Sequence, residues 1–86
     1  MAEKVALTII VQGRPIALDA EPHAPLRTVI PRALAESANV GQPPENWELR
    51  DANGALLDLE KKIADFGFSL TTRLFLNLRA GVGGDR

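Results

Sequence analysis

The side chains that could carry out nucleophilic catalysis are few in this chain of 86 residues. His23 is the one histidine, Ser37 and Ser69 are the two serines, and the sequence has no cysteine. A hydrolytic triad needs a nucleophile, a base and an orienting acid held together, and neither serine lies in a G-x-S-x-G motif. Pro22 and Pro25 flank His23 and favour a loop. We therefore predict that His23 is an exposed loop residue, that no residue is catalytic, and that the chain is not an enzyme.

Metal and phosphate chemistry have equally little support in the sequence. Asp58 and Glu60 are close together, but neighbouring carboxylates are usually solvated surface groups. A zinc site around His23 would need several carboxylates converging on it, and a chain without cysteine cannot form a thiolate site. The glycines form neither a G-x-x-x-x-G-K-[ST] nor a G-x-G-x-x-G motif. We expect no metal and no cofactor.

The C-terminal residues 80–86 differ in composition from the rest of the chain. Three of these seven residues are glycines, at positions 81, 83 and 84. The segment has too few apolar side chains to offset the conformational entropy that a glycine-rich backbone loses when it becomes ordered. We predict one folded domain over residues 1–79 and a flexible tail over residues 80–86.

Size and charge narrow the possible partners and locations. Eighty-six residues are enough for one small domain, since domains usually contain about 50–250 residues. The formal net charge of −1 argues against a nucleic-acid binder, which normally has a basic surface. No run of 18 apolar residues could span a membrane, and the N-terminus lacks the features of a secretion signal. We expect a cytoplasmic monomer that binds neither nucleic acid nor membranes.

Hydrophobic periodicity predicts a hairpin followed by one main helix. Residues 7–11 and 15–20 alternate apolar and polar side chains on either side of a turn at residues 12–14. Residues 26–38 have the apolar spacing of a helix. Because Pro31 would break a helix interior, we expect a start near Arg27 or Thr28, with Thr28 as the N-cap, or a kink. A residue with positive φ at positions 39–41 is expected to end this helix.

The second half of the chain predicts further short elements. Residues 47–50 and 71–79 alternate as strands, residues 56–57 are a short strand candidate, and residues 51–54 form an Asn-Gly turn. Residues 58–66 have the spacing of a helical or 3₁₀ segment. These elements predict an α+β fold with a helix on one face of a sheet. Trp47 is expected to be at least half buried, and the predicted core contains Leu7, Ile9, Val11, Ile16, Leu18, Leu26, Val29, Leu34, Leu57, Ile63, Phe66, Leu74 and Leu76.

The order of these elements resembles ubiquitin, and four segments resemble it in sequence. Residues 16–22 are similar to its second strand and the Glu-Pro that closes it, and residues 40–44 to the Gly-Ile-Pro-Pro segment after its helix. Residues 63–68 are similar to its Leu-Ser-Asp-Tyr-Asn-Ile segment. Residues 74–79, followed by Gly83-Gly84, are similar to its last strand, arginine and terminal diglycine.

This resemblance covers residues 5–84 and is to bacterial ubiquitin-like proteins encoded beside activating, conjugating and deconjugating enzymes. It implies a β-grasp fold, in which a mixed sheet of four to five strands packs on one main helix and a short 3₁₀ or α segment. It also implies a protein modifier that is joined to target proteins by an isopeptide bond. The conjugation residues would be Gly83 and Gly84, and Arg79 would be recognised by the activating enzyme.

Two departures from ubiquitin bear on this function. Asp85 and Arg86 follow the glycine pair, so a processing or deconjugating peptidase would have to cut between Gly84 and Asp85 to expose a carboxylate. The apolar patch that most ubiquitin receptors use is replaced by Glu48 and Asn77. Phe75 would point outward from the last strand, either covered by the chain's own loops or as part of a different recognition face.

Two other functions remain open for this fold. A sulfur carrier would use a C-terminal thiocarboxylate, although such carriers usually end at the diglycine itself. A non-covalent interaction module would not use the tail at all. Because a fold alone does not decide function, these alternatives need a chemical test.

Overall fold

The computed structural model describes residues 4–39 and 41–79. Within them, four strands form one sheet and a single α-helix covers one of its faces. Three short 3₁₀ segments connect these elements. The strands and the α-helix are β1 (Val5–Val11), β2 (Arg14–Ala20), α1 (Val29–Glu36), β3 (Trp47–Arg50) and β4 (Arg73–Leu78). The predicted α+β fold with a mixed sheet is therefore confirmed.

The strands lie in the order β2-β1-β4-β3, so the last strand is inserted between the first and the third. β1 and β4 run parallel, whereas β2 and β3 pair antiparallel with their neighbours. A parallel pair cannot be joined by a tight turn, and here α1 and the central loops form the crossover. This arrangement places the end of β4 beside the start of β3, where Leu78 pairs with Trp47.

The turn between β1 and β2 contains two residues rather than the predicted three. Gln12 and Gly13 have φ angles of 51° and 88°, as in a type I′ turn. Arg14, which the sequence placed in the turn, is already the first residue of β2 and pairs with Val11. The prediction was wrong at this position because a two-residue primed turn matches the twist of the strands and needs no third residue.

The helix starts where the sequence predicted, with Thr28 at the N-cap position of α1, but the Thr28 side chain makes no capping hydrogen bond. A 3₁₀ turn at Leu26–Thr28 leads directly into α1, so the backbone of Thr28 is already helical. The Thr28 hydroxyl donates a hydrogen bond to the Pro25 carbonyl over 2.7 Å and does not cap the helix. Pro31 is the third residue of α1, where its missing N–H is of little consequence, as the sequence predicted.

The helix ends earlier than predicted, in a Schellman motif. The Asn39 N–H donates to the Leu34 carbonyl over 2.9 Å and the Ala38 N–H donates to the Ala35 carbonyl over 3.2 Å. The residue with positive φ is Ala38, at 61°. The predicted stop at residues 39–41 was therefore misplaced, because alanine occupies a position that glycine usually takes; residue 40 lies outside the described residues.

The core lies between α1 and the inner face of the sheet. Most of the predicted core residues are buried, and Trp47, expected to be at least half buried, is 2% exposed. Ile16, Leu57 and Phe66 are partly buried against this core rather than inside it. The sequence prediction left out four residues that are also buried: Ala20, Ile30, Ala33 and Leu49.

The segment between β3 and β4 contains less regular structure than predicted. The strand candidate at residues 56–57 is a single bridge between Leu56 and Arg50. Of the helical candidate at residues 58–66, only Ile63–Phe66 is a 3₁₀ helix. The last strand is also shorter than the predicted residues 71–79. The loop packs on the core through Leu57, Leu59 and Ile63. Its backbone also forms hydrogen bonds, such as those from the Leu57 N–H to the Leu49 carbonyl and from the Ile63 N–H to the Ala24 carbonyl.

Candidate functional site

Arg79 is the one predicted site residue that the structure describes, and it follows β4 directly. Its N–H donates to the Asn46 carbonyl over 2.8 Å, and its Nε donates to the Trp47 carbonyl over 3.4 Å. The first bond fixes the main chain of Arg79, and the second, to a backbone carbonyl, is the one that the guanidinium makes. The residue is nevertheless exposed, which leaves most of the guanidinium available to a partner.

Arg79 lies between two adjoining cavities that form one groove along the surface. The first cavity has a volume of about 480 Å³, and its apolar walls are Ile30 and Pro31 from α1, Pro44, and Leu59. The second cavity has a volume of about 400 Å³ and includes Leu56 and Leu57. Leu59, Glu60 and Arg79 line both cavities. We call this surface the Arg79 groove.

The side chains at the edges of the Arg79 groove are mostly acidic. Four carboxylates line it, and two guanidiniums, those of Arg27 and Arg79, do so as well. Arg27 Nε lies 3.3 Å from a carboxylate oxygen of Glu60. The four acidic residues are Glu45, Glu48, Asp58 and Glu60. The groove therefore combines an apolar floor with an excess of negative charge.

The predicted conjugation residues Gly83 and Gly84, and the processing site between Gly84 and Asp85, lie outside the described residues. Their roles stay predictions. Arg79 is the last described residue before Gly83 and Gly84, and it lies at the same end of the molecule as the start of β3.

The residues considered for catalysis are not brought together. His23 is an exposed loop residue, as predicted. Ser37 is buried, and its hydroxyl donates to the Ala33 carbonyl over 2.8 Å at the end of α1. Ser69 is exposed and shares hydrogen bonds with Thr71 and Thr72. These contacts are those of helix and turn ends, not of a base and its nucleophile.

Asp58 and Glu21 have hydrogen-bond partners within the fold. The Asp58 carboxylate accepts the Glu60 N–H over 3.0 Å. Within residues 4–39 and 41–79, no group of three or more His, Cys, Asp or Glu side chains is arranged to hold a metal ion. Glu21 has a lowered pKa, chiefly because Lys4 Nζ donates a hydrogen bond to its carboxylate over 2.8 Å.

The outer face of the sheet has a polar end and an apolar centre. Glu48 and Asn77 are paired across β3 and β4, and Glu48 lies 2.9 Å from Arg50 Nε. Phe75 is partly buried between Ile10 of β1 and Arg50 of β3. Phe75, which the sequence analysis considered as part of a recognition face, is thus only partly covered by the rest of the protein.

The sequence identified Arg79 but not the rest of the groove around it. Ile30, Pro44 and Leu59 come from three separate segments, and nothing in their spacing indicates that they meet. The signal available in the sequence was weak: Leu59 is an apolar side chain between the charged Asp58 and Glu60, in the predicted helical or 3₁₀ segment at residues 58–66.

In the described part of the chain, no helix has both the length and the apolar character needed to cross a bilayer.

Comparisons with known proteins define the family and the fold. The model of a family described as "Protein of Unknown function (DUF2604)" matches residues 1–84. The "Uncharacterized protein y4jI" of Sinorhizobium fredii (strain NBRC 101917 / NGR234) is 49% identical over 81 residues. That match covers 94% of this chain and 62% of the relative, so this chain spans less than two thirds of the relative's length.

Solved structures of two ubiquitin-type proteins have a similar fold. A de novo designed protein based on ubiquitin has a TM-score of 0.73 at 19% identity, over 96% of this chain and 98% of that one. Ubiquitin of Caldiarchaeum subterraneum has a TM-score of 0.71 at 23% identity, over 94% of this chain and 99% of that one. The chain therefore has the ubiquitin-like β-grasp fold and belongs to the DUF2604 family.

Proposed function

We propose that this protein is a ubiquitin-like modifier, processed after Gly84 and attached to target proteins through the Gly84 carboxylate. The observation that carries the proposal is Arg79, an exposed residue directly after β4 and five residues before Gly84. Its backbone N–H donates to the Asn46 carbonyl, and its guanidinium Nε donates to the Trp47 carbonyl. The ubiquitin-like fold and the Gly83-Gly84 pair support the same function. The chain itself would not act as an enzyme.

The proposed chemistry begins with the two residues after the glycine pair. A peptidase would hydrolyse the amide bond between Gly84 and Asp85, with water supplying the oxygen of the new carboxylate and the proton of the released amine. An activating enzyme would then join this carboxylate to the α-phosphate of ATP, with pyrophosphate as the leaving group. A cysteine thiolate of that enzyme would displace AMP and form a thioester.

Conjugation would follow by transfer to a target. The thioester would pass to the cysteine of a conjugating enzyme, and a target amine would attack it to form an amide bond and release the thiol. Glycines at positions 83 and 84 suit this chemistry because the absence of a Cβ lets the backbone enter a narrow channel. Arg79 would be recognised by a carboxylate of the activating enzyme, for which the planar guanidinium is well suited.

The proposed setting is a bacterial ubiquitination-like pathway in the cytoplasm, where ATP and the enzymes would be available. The relative from Sinorhizobium fredii supports a bacterial setting. The partners would be an activating enzyme, a conjugating enzyme, a peptidase and target proteins. We propose that the free protein is a monomer.

Intact-mass measurement tests this proposal. The full chain is incubated with a candidate processing peptidase from its host, and loss of Asp85 and Arg86 alone is expected. A Gly84→Val variant serves as the control, because a β-branched side chain at the cleavage site should block processing. Failure to cut the unaltered chain at Gly84, or cutting at another bond, would contradict the proposal.

The same assay separates the two alternatives. Processed chain, ATP and activating enzyme should yield a covalent product of higher mass when a target is present. Replacement of one oxygen by sulfur would instead indicate a sulfur carrier. Absence of any covalent product would indicate a non-covalent interaction module. Arg79→Ala should raise the KM for activation without affecting folding, since its side chain is exposed.

A further inference from the structure

The Arg79 groove has the size and lining of a peptide-binding surface. Its first cavity, of about 480 Å³, is within the usual range of roughly 300–1,000 Å³ for ligand pockets. The floor is apolar, formed by Ile30, Pro31, Pro44 and Leu59. Leu56, in the adjoining cavity, is 60% exposed and extends the apolar surface of the groove.

The groove lies where residues 80–86 continue from Arg79, so a protein that binds these residues also lies close to the groove. Arg79 lines both cavities, and the backbone continues from it into the tail. The five residues from Arg79 to Gly84 can span at most about 18 Å when fully extended. A protein whose reactive centre reaches Gly84 must therefore lie within that distance of Arg79, and its surface adjoins the groove.

The charges of the groove specify the chemistry of that surface. The excess of carboxylates over guanidiniums makes the edge of the groove negative. Arg27 is already paired with Glu60, and Asp58 accepts a backbone N–H of its own loop, whereas Glu45 forms no ion pair with the described residues. A bound segment with positive charge would be favoured electrostatically, and one with negative charge would be repelled.

From these observations we propose that the Arg79 groove binds an extended segment of the activating enzyme, in which a bulky apolar side chain lies next to a lysine or arginine. The apolar side chain packs on Leu59, which lines both cavities, between Ile30 in the first cavity and Leu56 in the second. The basic side chain pairs with Glu45 at one edge of the groove or with Asp58 at the other. This inference rests on the proposed function for the identity of the partner.

Binding of short peptides tests the groove without any need for conjugation. The probe is a blocked pentapeptide of sequence Gly-Lys-Leu-Lys-Gly, added to the isotopically labelled full chain and followed by NMR. Shifts are expected at Ile30, Leu59 and Arg79. Two comparison peptides, Gly-Glu-Leu-Glu-Gly and Gly-Lys-Ser-Lys-Gly, should bind more weakly. Shifts confined to other surfaces, no shifts, or equal binding of the acidic peptide would overturn the proposal.

Matched variants locate the site. Glu45→Lys should weaken binding of the basic peptide about two- to fivefold, as expected for an exposed ion pair. Glu36→Lys changes the net charge equally but lies outside the groove, so it should leave binding unchanged. Leu56→Ser should also weaken binding, whereas Leu70→Ser, at a leucine that is 85% exposed elsewhere on the surface, should not. Equal effects within either pair would contradict the assignment.

A second measurement distinguishes this inference from the proposed function. In ATP-pyrophosphate exchange by the activating enzyme with the processed chain, Leu56→Ser should raise the KM for the chain several-fold, and Leu70→Ser should leave it unchanged. If exchange proceeds and both variants behave alike, the groove proposal fails although the modifier function stands. If no exchange occurs with any chain, the modifier function fails, and the peptide titration alone decides whether the groove binds basic, apolar segments.

Discussion

Individual residues whose backbone departs from the usual conformations determine where elements of this protein end. Ala38 ends α1 at a φ of 61°, a conformation that an L-residue adopts at a cost of roughly 1–2 kcal/mol. Glycine adopts it without that cost. The Schellman hydrogen bonds of Asn39 and Ala38 hold the residue there.

Relief of this strain in Ala38→Gly should raise the free energy of unfolding by about 1 kcal/mol. The conformational entropy that glycine adds to the unfolded chain reduces this gain. Urea unfolding monitored by the fluorescence of Trp47, the single tryptophan, measures the change. Ala35→Gly is the control, because Ala35 is exposed within α1 and glycine there should destabilise by up to about 1 kcal/mol. Destabilisation by both substitutions would show that the motif does not impose the strain.

The ion pair between Lys4 and Glu21 predicts a response to pH. Lys4 lowers the pKa of Glu21 in the folded protein, mainly through its hydrogen bond and then through its charge. A lowered carboxyl pKa contributes stability above the pKa of the unfolded chain, and this contribution disappears as the pH falls through the folded pKa. Because Glu21 is exposed, the contribution is small.

Replacing Lys4 with glutamine should raise the pKa of Glu21 toward its ordinary value. An NMR titration of the side-chain carboxyl carbon measures this, with Lys62→Gln as a control that removes a lysine not involved in the lowered pKa of Glu21. An unchanged pKa of Glu21 in Lys4→Gln would exclude the ion pair in solution.

Secondary-structure elements show how far local sequence determines this fold. Alternation of apolar side chains was enough to place β1, β2 and β4, because one face of each strand packs on the core. Element ends were less predictable: the first turn is one residue shorter than expected, and α1 ends at an alanine. The length of the turn is set by the twist of the two strands, which the residue types of the turn do not show. The end of α1 is set by hydrogen bonds that hold Ala38 at a positive φ, which an alanine does not indicate.

The hairpin turn allows a direct test of backbone strain. Gly13 has a φ of 88°, and a Cβ added there would meet no atom within 4 Å, so substitution would introduce strain without a clash. Gly13→Ala should therefore destabilise the protein by roughly 1–2 kcal/mol. Gly41→Ala is the matched control, because its Cβ also has open space and its φ lies outside the positive region. The difference between the two free energies of unfolding measures the strain, and equal values would refute it.

At the scale of the whole molecule, the sequence predicted the fold but not the groove. The order of elements and their apolar faces lead to the β-grasp arrangement, and Leu74 and Leu76 of β4 are buried as predicted. The Arg79 groove depends instead on α1, the 3₁₀ turn at Pro44–Asn46 and the loop at Leu59 meeting around Arg79. Tertiary packing brings these segments together, and the spacing of residues within each segment does not indicate it.

The outer face of the sheet predicts a difference from ubiquitin in partner choice. Glu48 is held in an ion pair with Arg50, and the exposed Asn77 lies across from it, so this part of the surface is polar. Eukaryotic receptors that use the apolar patch of ubiquitin should therefore not bind. An NMR titration with such a receptor should leave Glu48 and Asn77 unshifted, with ubiquitin as the positive control. Strong shifts there would show that these side chains do not determine partner choice.

The central place of β4 has a consequence for the newly made chain. β4 is synthesised after the other three strands of the described sheet, yet it is the strand that joins β1 to β3. Until it is inserted, both neighbours expose unpaired backbone and the core lacks Leu74 and Leu76. Arg79 is fixed by carbonyls of Asn46 and Trp47 only once that insertion has happened. Copies in which β4 is not inserted therefore lack a fixed Arg79, so the proposed activating enzyme would act only on molecules in which this strand is in place.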